Sequence, residues 1–320
     1  MTAVTAADSL DQTADGLDEL TMPRSQAGGQ PQHLLVTLLG DYWFGQREQL
    51  PSAGLVDLLA EFGISAAGAR AALGRLAKRH LLEPSKSGRR TFYGLTPMAE
   101  RVFNEGLSRI LSFGAEDGEP WDRTWLVVAF SVPEDQRDLR HSLRSRLRWQ
   151  GFAPLYDGVW VSPRRDDTAI TAIMAEAGVE TVTLLRSATL YPAPEGPGHP
   201  LSAWNLTELR DTYEEFLEKF APVLERVRLG QVTASEALVA RTELMDTWRR
   251  FPTLDPELPS SVLPAGWPRE RSREIFMQVY DGLGPLAELR VRQIVATWSP
   301  EIAERAKHHT TGIALGRTAG

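Results

Sequence analysis

The residues of this chain best equipped to do chemistry are basic, and they are clustered. Arg70, Arg75, Lys78, Arg79, Lys86, Arg89 and Arg90 lie between Ile64 and Tyr93, with Glu83 as the one acid among them. This is +6 in 30 residues of a chain whose net charge is −7, so the remainder carries −13. Such asymmetry is the electrostatic footprint of a surface that meets a polyanion; the alternative is a solvated basic face. Other chemistries find little footing. The chain has no cysteine, which removes disulfides, thiolate metal sites and cysteine nucleophiles together and fits a reducing cytoplasm. His33, His80, His141, His199, His308 and His309 show no metal-ligand spacing on one helix face, so no cofactor or metal is implied. Gly282-Leu283-Gly284-Pro285-Leu286-Ala287 formally fits a dinucleotide fingerprint. That motif needs a strand before it, whereas here a helical pattern over 275–280 precedes it, so it reads as a turn between helices.

The basic residues must be positioned by local structure, and the pattern around them supplies it. Leu34, Leu35, Leu38 and Leu39 predict a first helix. Ser52 is placed to cap a second, with Leu55, Val56, Leu58, Leu59 and Phe62 as its apolar face and Gly63 at its end. Ser65 then caps a third, whose buried face is Ala69, Ala72, Leu73 and Leu76. Two helices joined by a tight glycine-containing turn match the helix-turn-helix signature. On the third helix Arg70 and Lys78 share a face with Ala67, Ala71 and Gly74, flanked by Arg75 and Arg79. Small residues let a backbone approach the major groove while long cations reach bases or phosphates. Ser65, Arg70, Arg75, Lys78 and Arg79 are therefore candidate DNA contacts, although Arg75 equally suits an ion pair between helices. Two short strands follow around Lys86-Ser87-Gly88-Arg89 and make a wing, on which Lys86, Arg89 and Arg90 can meet the phosphate backbone or a minor groove. Thr96-Pro97 opens a fourth helix, with Val102, Phe103, Leu107, Ile110 and Leu111 as its stripe.

Beyond a polar linker at 115–120 the pattern changes to β-α-β-β-α-β. It comprises a strand over 124–132, a helix over 134–150, strands over 152–156 and 159–162 about Asp157-Gly158, a helix to Ala177 and a last strand over 179–185. This is the order of a ferredoxin-like domain. The proline- and glycine-rich stretch 191–199 is a second linker, and the rest is helical. The fold class is α+β: an acidic disordered segment 1–30, a winged helix-turn-helix domain 31–114, a ferredoxin-like middle domain 121–190, a helical C-terminal domain 200–298 and a loose tail 299–320. No apolar run approaches the roughly 18 residues needed to span a bilayer, and the acidic first residues do not read as a secretory signal. The expected location is the cytoplasm.

Several stretches together resemble the PaaX-type regulators of phenylacetic acid degradation: LLVTLLGDYWF (34–44), AGARAALGRLAKRHLL (67–82), GRRTFYGLT (88–96), GFAPLYDGVWVSP (151–163) and RRFPTLDPELPSSVLPAGWP (249–268). The last is the most specific. The resemblance spans residues 31–298 and implies a winged helix, a Cas2-like middle domain and a C-terminal helical domain. It also implies a homodimeric repressor of an inverted-repeat operator in double-stranded DNA, relieved by an aryl-CoA effector such as phenylacetyl-CoA. Carried onto matching positions, it makes Arg70, Arg75, Arg89 and Arg90 DNA contacts.

Two questions stay open at this level. Cas2-like nucleases carry a metal-binding aspartate at the end of the first strand, and a metal-dependent nuclease is the alternative function. Here the strand ends Ala129-Phe130-Ser131-Val132, with Glu134 and Asp135 only in the next helix. The row Arg137, Arg140, Arg144 and Arg148 suits DNA or a CoA phosphate, or a solvated face balanced by Glu134, Asp135 and Asp138. For the effector, Arg241, Trp248 and Arg249 beside the loop 253–268 are the candidate ligand residues, since guanidinium suits phosphate and an indole suits an acyl ring. The same arginines suit anchoring the Asp255 loop. Trp204, Tyr213, Trp248 and Trp267 are core residues or a ligand cage.

Overall fold

The structure is a computed structural model that describes residues 31–46, 48–115, 121–163, 167–179, 181–187 and 199–314. The acidic segment 1–30 and most of both linkers lie outside the described residues. The chain forms two compact units: one holds residues 1–113, 219–250 and 274–320, the other residues 114–218 and 251–273. Residues 200–298, read from the sequence as one helical domain, are thus divided between them.

The first unit is built around helix α1 (Pro31–Trp43). The four leucines at helical spacing are buried, but so are His33, Val36, Thr37, Asp41, Tyr42 and Trp43. A helix buried on every side is a core helix rather than a surface one. After β1 (Leu50–Pro51) come α2 (Ser52–Ala60) and α3 (Ala66–Lys78). Ser52 is the first residue of α2 and not its cap; Pro51 holds the cap position, without a side-chain bond. Gly63, at φ +73°, ends the helix as expected. Its N–H bonds the carbonyl of Ala60 and that of Ile64 bonds Leu59, the paired closure that a left-handed residue permits. Strands β2 (Leu82–Ser87) and β3 (Arg90–Leu95) form a hairpin that β1 extends in the order β1-β3-β2. Thr96 caps α4 (Pro97–Ser112) through the Ala99 N–H and donates its hydroxyl to the carbonyl of His80.

The C-terminal residues of this unit close over α1. They come from α8 (Ala234–Trp248) and α9 (Arg269–Ala296), which follow α7 (Leu206–Arg228) in the chain. Helix α9 runs straight through Gly282–Pro285, so the turn expected there does not form. Those glycines serve close approach. A Cβ on Gly282 would stand 2.9 Å from Val227, and one on Gly284 would stand 2.3 Å from the His308 ring. Nor are residues 301–314 loose; residues 315–320 of the expected tail lie outside the described residues. Ala303, Ala306 and Thr311 are buried, and Lys307 N–H bonds the Tyr42 carbonyl.

The second unit carries the expected β-α-β-β-α-β order. Its elements are β4 (Trp125–Phe130), α5 (Arg137–Trp149), β5 (Ala153–Tyr156), β6 (Val159–Ser162), α6 (Asp167–Glu176) and β7 (Val182–Ser187). The sheet is antiparallel in the order β5-β6-β4-β7. Leu126, Val128, Leu143, Leu147, Phe152, Trp160, Ile170 and Met174 form its core. Gly158 turns the β5–β6 hairpin at φ +77°, where a Cβ would press to 2.7 Å from the Phe130 carbonyl oxygen.

At the centre of the first unit Arg241 is fully buried beside Asp41. Its Nη1 donates to Asp41 Oδ2 at 3.1 Å, its Nε to the Tyr280 carbonyl at 3.1 Å and its Nη2 to the His309 carbonyl at 2.7 Å. The Tyr280 hydroxyl donates to Asp41 Oδ1 at 2.8 Å. Burial pushes the Asp41 carboxyl up, against the pull of Arg241 and of this hydroxyl. Removing one member of a saturated buried pair strands the other. Asp41→Asn should therefore cost about 3–5 kcal/mol in chemical denaturation, and Asp41→Leu with Arg241→Met distinctly less. A loss under about 1 kcal/mol for the single variant would mean that water solvates Arg241.

Candidate nucleic-acid interface

Helix α3 divides cleanly. Ala69, Ala72, Leu73 and Leu76 are buried, while Ala66, Ala67, Arg70, Ala71, Arg75 and Lys78 are on the solvent side. The helix forms because alanines and leucines dominate it, and Ser65 fixes its start by accepting the Gly68 N–H at 3.2 Å. Ser65 thus has a structural task as well as its place at the edge of the exposed face. Its small residues leave an outer surface on which the cations stand proud; a Cβ on Gly74 would meet nothing within 4 Å.

Of the cations predicted from the sequence, Arg70, Arg75 and Lys78 of α3 and Lys86, Arg89 and Arg90 of the hairpin all reach solvent. Among the described residues none of these six makes an ion pair. Arg75 thus makes no ion pair between helices among the described residues. Arg79 is half-buried at the C-cap and does have an interaction, so it is less free than its neighbours. In the hairpin Ser87 pairs with Arg90, leaving Gly88-Arg89 as a two-residue loop with Gly88 at φ +59°. Glycine at the first central position suits such a turn, which carries Arg89 at its tip with Lys86 and Arg90 in the last strand pairs beside it.

The candidate ligand residues fare differently, and here the structure corrects the sequence reading. Arg241 spends its donors on Asp41, Tyr280 and His309 and presents no surface to a ligand. Trp248 is buried, stacks on Phe276 at 4.6 Å and donates its indole N–H to the Ile110 carbonyl. Arg249 is paired with Asp246 at 2.7 Å and only 10% of its side chain is exposed. Arg241 and Trp248 are buried and hydrogen-bonded within the core, and Arg249 is nearly as enclosed, although its Nε has no hydrogen-bond partner among the described residues. The Asp255 loop is anchored by another arginine. Arg269 grips both oxygens of Asp255 at 2.7 Å and also bonds the Leu258 carbonyl, while Tyr213 donates to Asp255 at 2.6 Å. Burial first, then the Asp255 charge, raises the Tyr213 pKa far above its ordinary value, which keeps the hydroxyl a donor. Arg269 stands one residue beyond the RRFPTLDPELPSSVLPAGWP stretch, and an aspartate in a proline-rich loop was the available signal for it. Tyr213 and Trp267 are likewise packed, Tyr213 on Phe251 at 4.3 Å and Trp267 under Arg210. Trp204 lies against Trp125.

In the second unit the arginine row is mostly engaged. Arg140 bonds the Val132 carbonyl, Arg144 pairs with Asp157 at 2.6 Å, and Arg148 lies over Trp160 at 5.4 Å. Arg144 and Arg148 line a shallow cavity of about 270 Å³ with Pro154, Tyr156 and Trp160. Ser131 follows β4 with no acid beside it in sequence, and the described residues contain no group of three or more His, Asp or Glu side chains able to hold a metal. No helix among the described residues is long and apolar enough to cross a membrane.

Three family models match in chain order: "PaaX-like protein" over 30–99, "PaaX protein central Cas2-like domain" over 118–197 and "PaaX-like protein C-terminal domain" over 204–293. The chain belongs to the PaaX family. Over 259 residues it is 29% identical to "Transcriptional repressor PaaX" of Escherichia coli (strain K12), a match covering 79% of this chain and 80% of that one. A solved structure, "Uncharacterized protein Rv0674 from Mycobacterium tuberculosis", shares the fold with a TM-score of 0.52 at 20% identity, covering 82% of this chain and 97% of that one. Cas2-like names the fold of the central segment; the E. coli relative is described as a transcriptional repressor, which does not favour the nuclease alternative.

Because Arg75 and Lys78 reach solvent and make no ion pair among the described residues, Arg75→Ala and Lys78→Ala should each change unfolding free energy by no more than about 0.5 kcal/mol. Both should weaken binding to duplex DNA. A thermal scan showing a loss well above that would reveal a structural role.

Proposed function

We propose that this chain is a sequence-specific repressor that reads double-stranded DNA through a winged helix-turn-helix. In this reading α2 and α3 are the helix-turn-helix, α3 is the recognition helix, and the β2–β3 hairpin is the wing. The observation that carries the reading is the solvent-facing, unpaired cation set on one face of α3 and at the hairpin tip. An acidic protein that holds such a set free of ion pairs among the described residues has the electrostatics for a polyanion. Arg70 and Lys78 are placed for base edges, and Lys86, Arg89 and Arg90 for phosphates. The E. coli relative's description supports the repressor role. One winged helix covers one half-site, so the working form is a homodimer on an inverted repeat, its half-sites about one helical turn or a multiple apart. The setting is the cytoplasm.

The effector we propose is an aryl-CoA thioester such as phenylacetyl-CoA, on the strength of the family resemblance. It does not use the Arg241 cluster. The cavity beside Arg144 and Arg148 offers guanidinium groups next to an aromatic floor, with room for a phosphate-bearing fragment rather than the whole molecule. The effector acts only if it favours a state that binds DNA less well, and then DNA must weaken effector binding by the same factor.

Arg89→Ala with Arg90→Ala should weaken binding to every duplex and reduce the slope of log K against log salt by about 0.9 for each phosphate no longer neutralised. A weakening confined to one sequence, with the slope intact, would make the wing a base reader. Calorimetric titration with phenylacetyl-CoA, in the presence and absence of bound duplex, should show the reciprocal weakening, and Arg148→Ala should lower the effector affinity. Equal affinity in both titrations would remove this compound as an inducer.

A further inference from the structure

Helix α2 is fixed on two sides by different chemistry. Leu55, Leu58 and Leu59 bury it against the core, an interaction without direction. Its other side carries a stripe at helical spacing that meets α9, the residues just after α9 and the start of α8. A Cβ on Gly54 would stand 3.5 Å from Trp298. Asp57 accepts the Trp298 indole N–H at 2.7 Å. Glu61, the residue after α2, is gripped by Arg290 in a two-pronged contact, Nη2 to Oε1 at 2.7 Å and Nε to Oε2 at 3.1 Å. The Ser235 hydroxyl adds a third bond to Oε2 at 2.6 Å.

The Glu61 carboxylate is a poor stabiliser but a good locator. Arg290 is about one-third exposed, with 32% of its side chain accessible against 14% for Glu61, so solvent screens the pair. The guanidinium fork nevertheless fixes both distance and angle. The Arg290 hydrogen bonds hold the Glu61 carboxyl below the usual carboxylate range, so it is charged at neutral pH. Glu61 also opens the turn Glu61-Phe62-Gly63-Ile64-Ser65, whose closed hydrogen bonds leave little slack before α3 begins at Ala66. A shift of Glu61 along Arg290 is therefore passed to the exposed face of α3.

We infer that Glu61 is the positioning residue of the DNA-reading helix: the C-terminal helices, through Arg290 and Ser235, set the angle at which α3 is presented. This rests on the DNA-reading function proposed above. The joint is also where a signal reaching α9 would be converted into altered sequence reading, since an error of about 1 Å at a recognition site is costly.

The test uses the full chain and two probes: a duplex enriched from a random pool by the wild-type protein, and a shuffled duplex of the same composition. Glu61→Gln and Arg290→Lys should each weaken binding of the enriched duplex about tenfold or more, the range of one mismatched base pair. Affinity for the shuffled duplex and the salt slope should stay unchanged, because the phosphate-binding cations are untouched. Melting temperature should move little. The exchanged pair Glu61→Arg with Arg290→Glu should recover part of the discrimination. Equal weakening on both duplexes, or binding of the enriched duplex at wild-type strength, overturns the inference. Failure of the wild-type chain to enrich any duplex overturns the DNA-reading function itself, and this inference with it.

Discussion

A single charge in the wrong medium organises the first unit. Asp41 lies on a helix that is buried on every side, and an unpaired carboxylate there would be prohibitively costly. Its partner, Arg241, is supplied by a helix 200 residues further on, and Arg241 in turn needs the carbonyls of Tyr280 and His309. Each of these requirements recruits another segment. The N-terminal helices, α8, α9 and residues 301–314 are thereby tied together within the first unit. Two aromatic rings complete the arrangement, with Tyr280 at 3.8 Å and Tyr42 at 5.3 Å from the guanidinium carbon.

The proposed DNA-reading surface is the complement of this core. Where Arg241 and Arg269 in the interior spend their guanidinium groups on acids, those of α3 and the hairpin meet no acid among the described residues. Arginine thus plays two opposite parts in this protein, told apart by burial and partners and not by residue type. Arg241 and Arg269 are spent on Asp41 and Asp255, while among the described residues Arg70, Arg75, Arg89 and Arg90 have no acid of their own chain to hold. Polar contacts of intermediate exposure, such as Glu61 with Arg290, lie between these extremes and fix geometry more than they stabilise.

The histidines and glycines near the C-terminus follow the same logic. His308 packs against Gly284 and bonds Glu288, and the main-chain carbonyl of His309 receives Arg241. Both residues are therefore parts of the core and not of a loose tail. Burial, with the charge of Arg241, lowers the His309 pKa, so the ring stays neutral.

Local pattern settled the elements. Alternation and helical spacing place α1 to α6 and β2 to β7 to within a few residues, because each buries a face whose period is written in the chain. The basic face of α3 was legible for the same reason: which side of a helix is apolar decides which side is free. Spacing could not say what lies on the far side of a buried element. Nothing in PQHLLVTLLGDYW marks α1 as a core helix, since Asp41 and Tyr42 read as surface residues until a partner 200 residues away is placed beside them. Gly282 and Gly284 could not be told from a turn until Val227 and His308 stood against them. The cluster of Arg241, Trp248 and Arg249 had the composition of a ligand site. Only the tertiary structure could show that Arg241 and Trp248 are buried and already hydrogen-bonded and that Arg249 is nearly enclosed, because satisfaction of a buried charge depends on three-dimensional neighbours that sequence separation does not reveal.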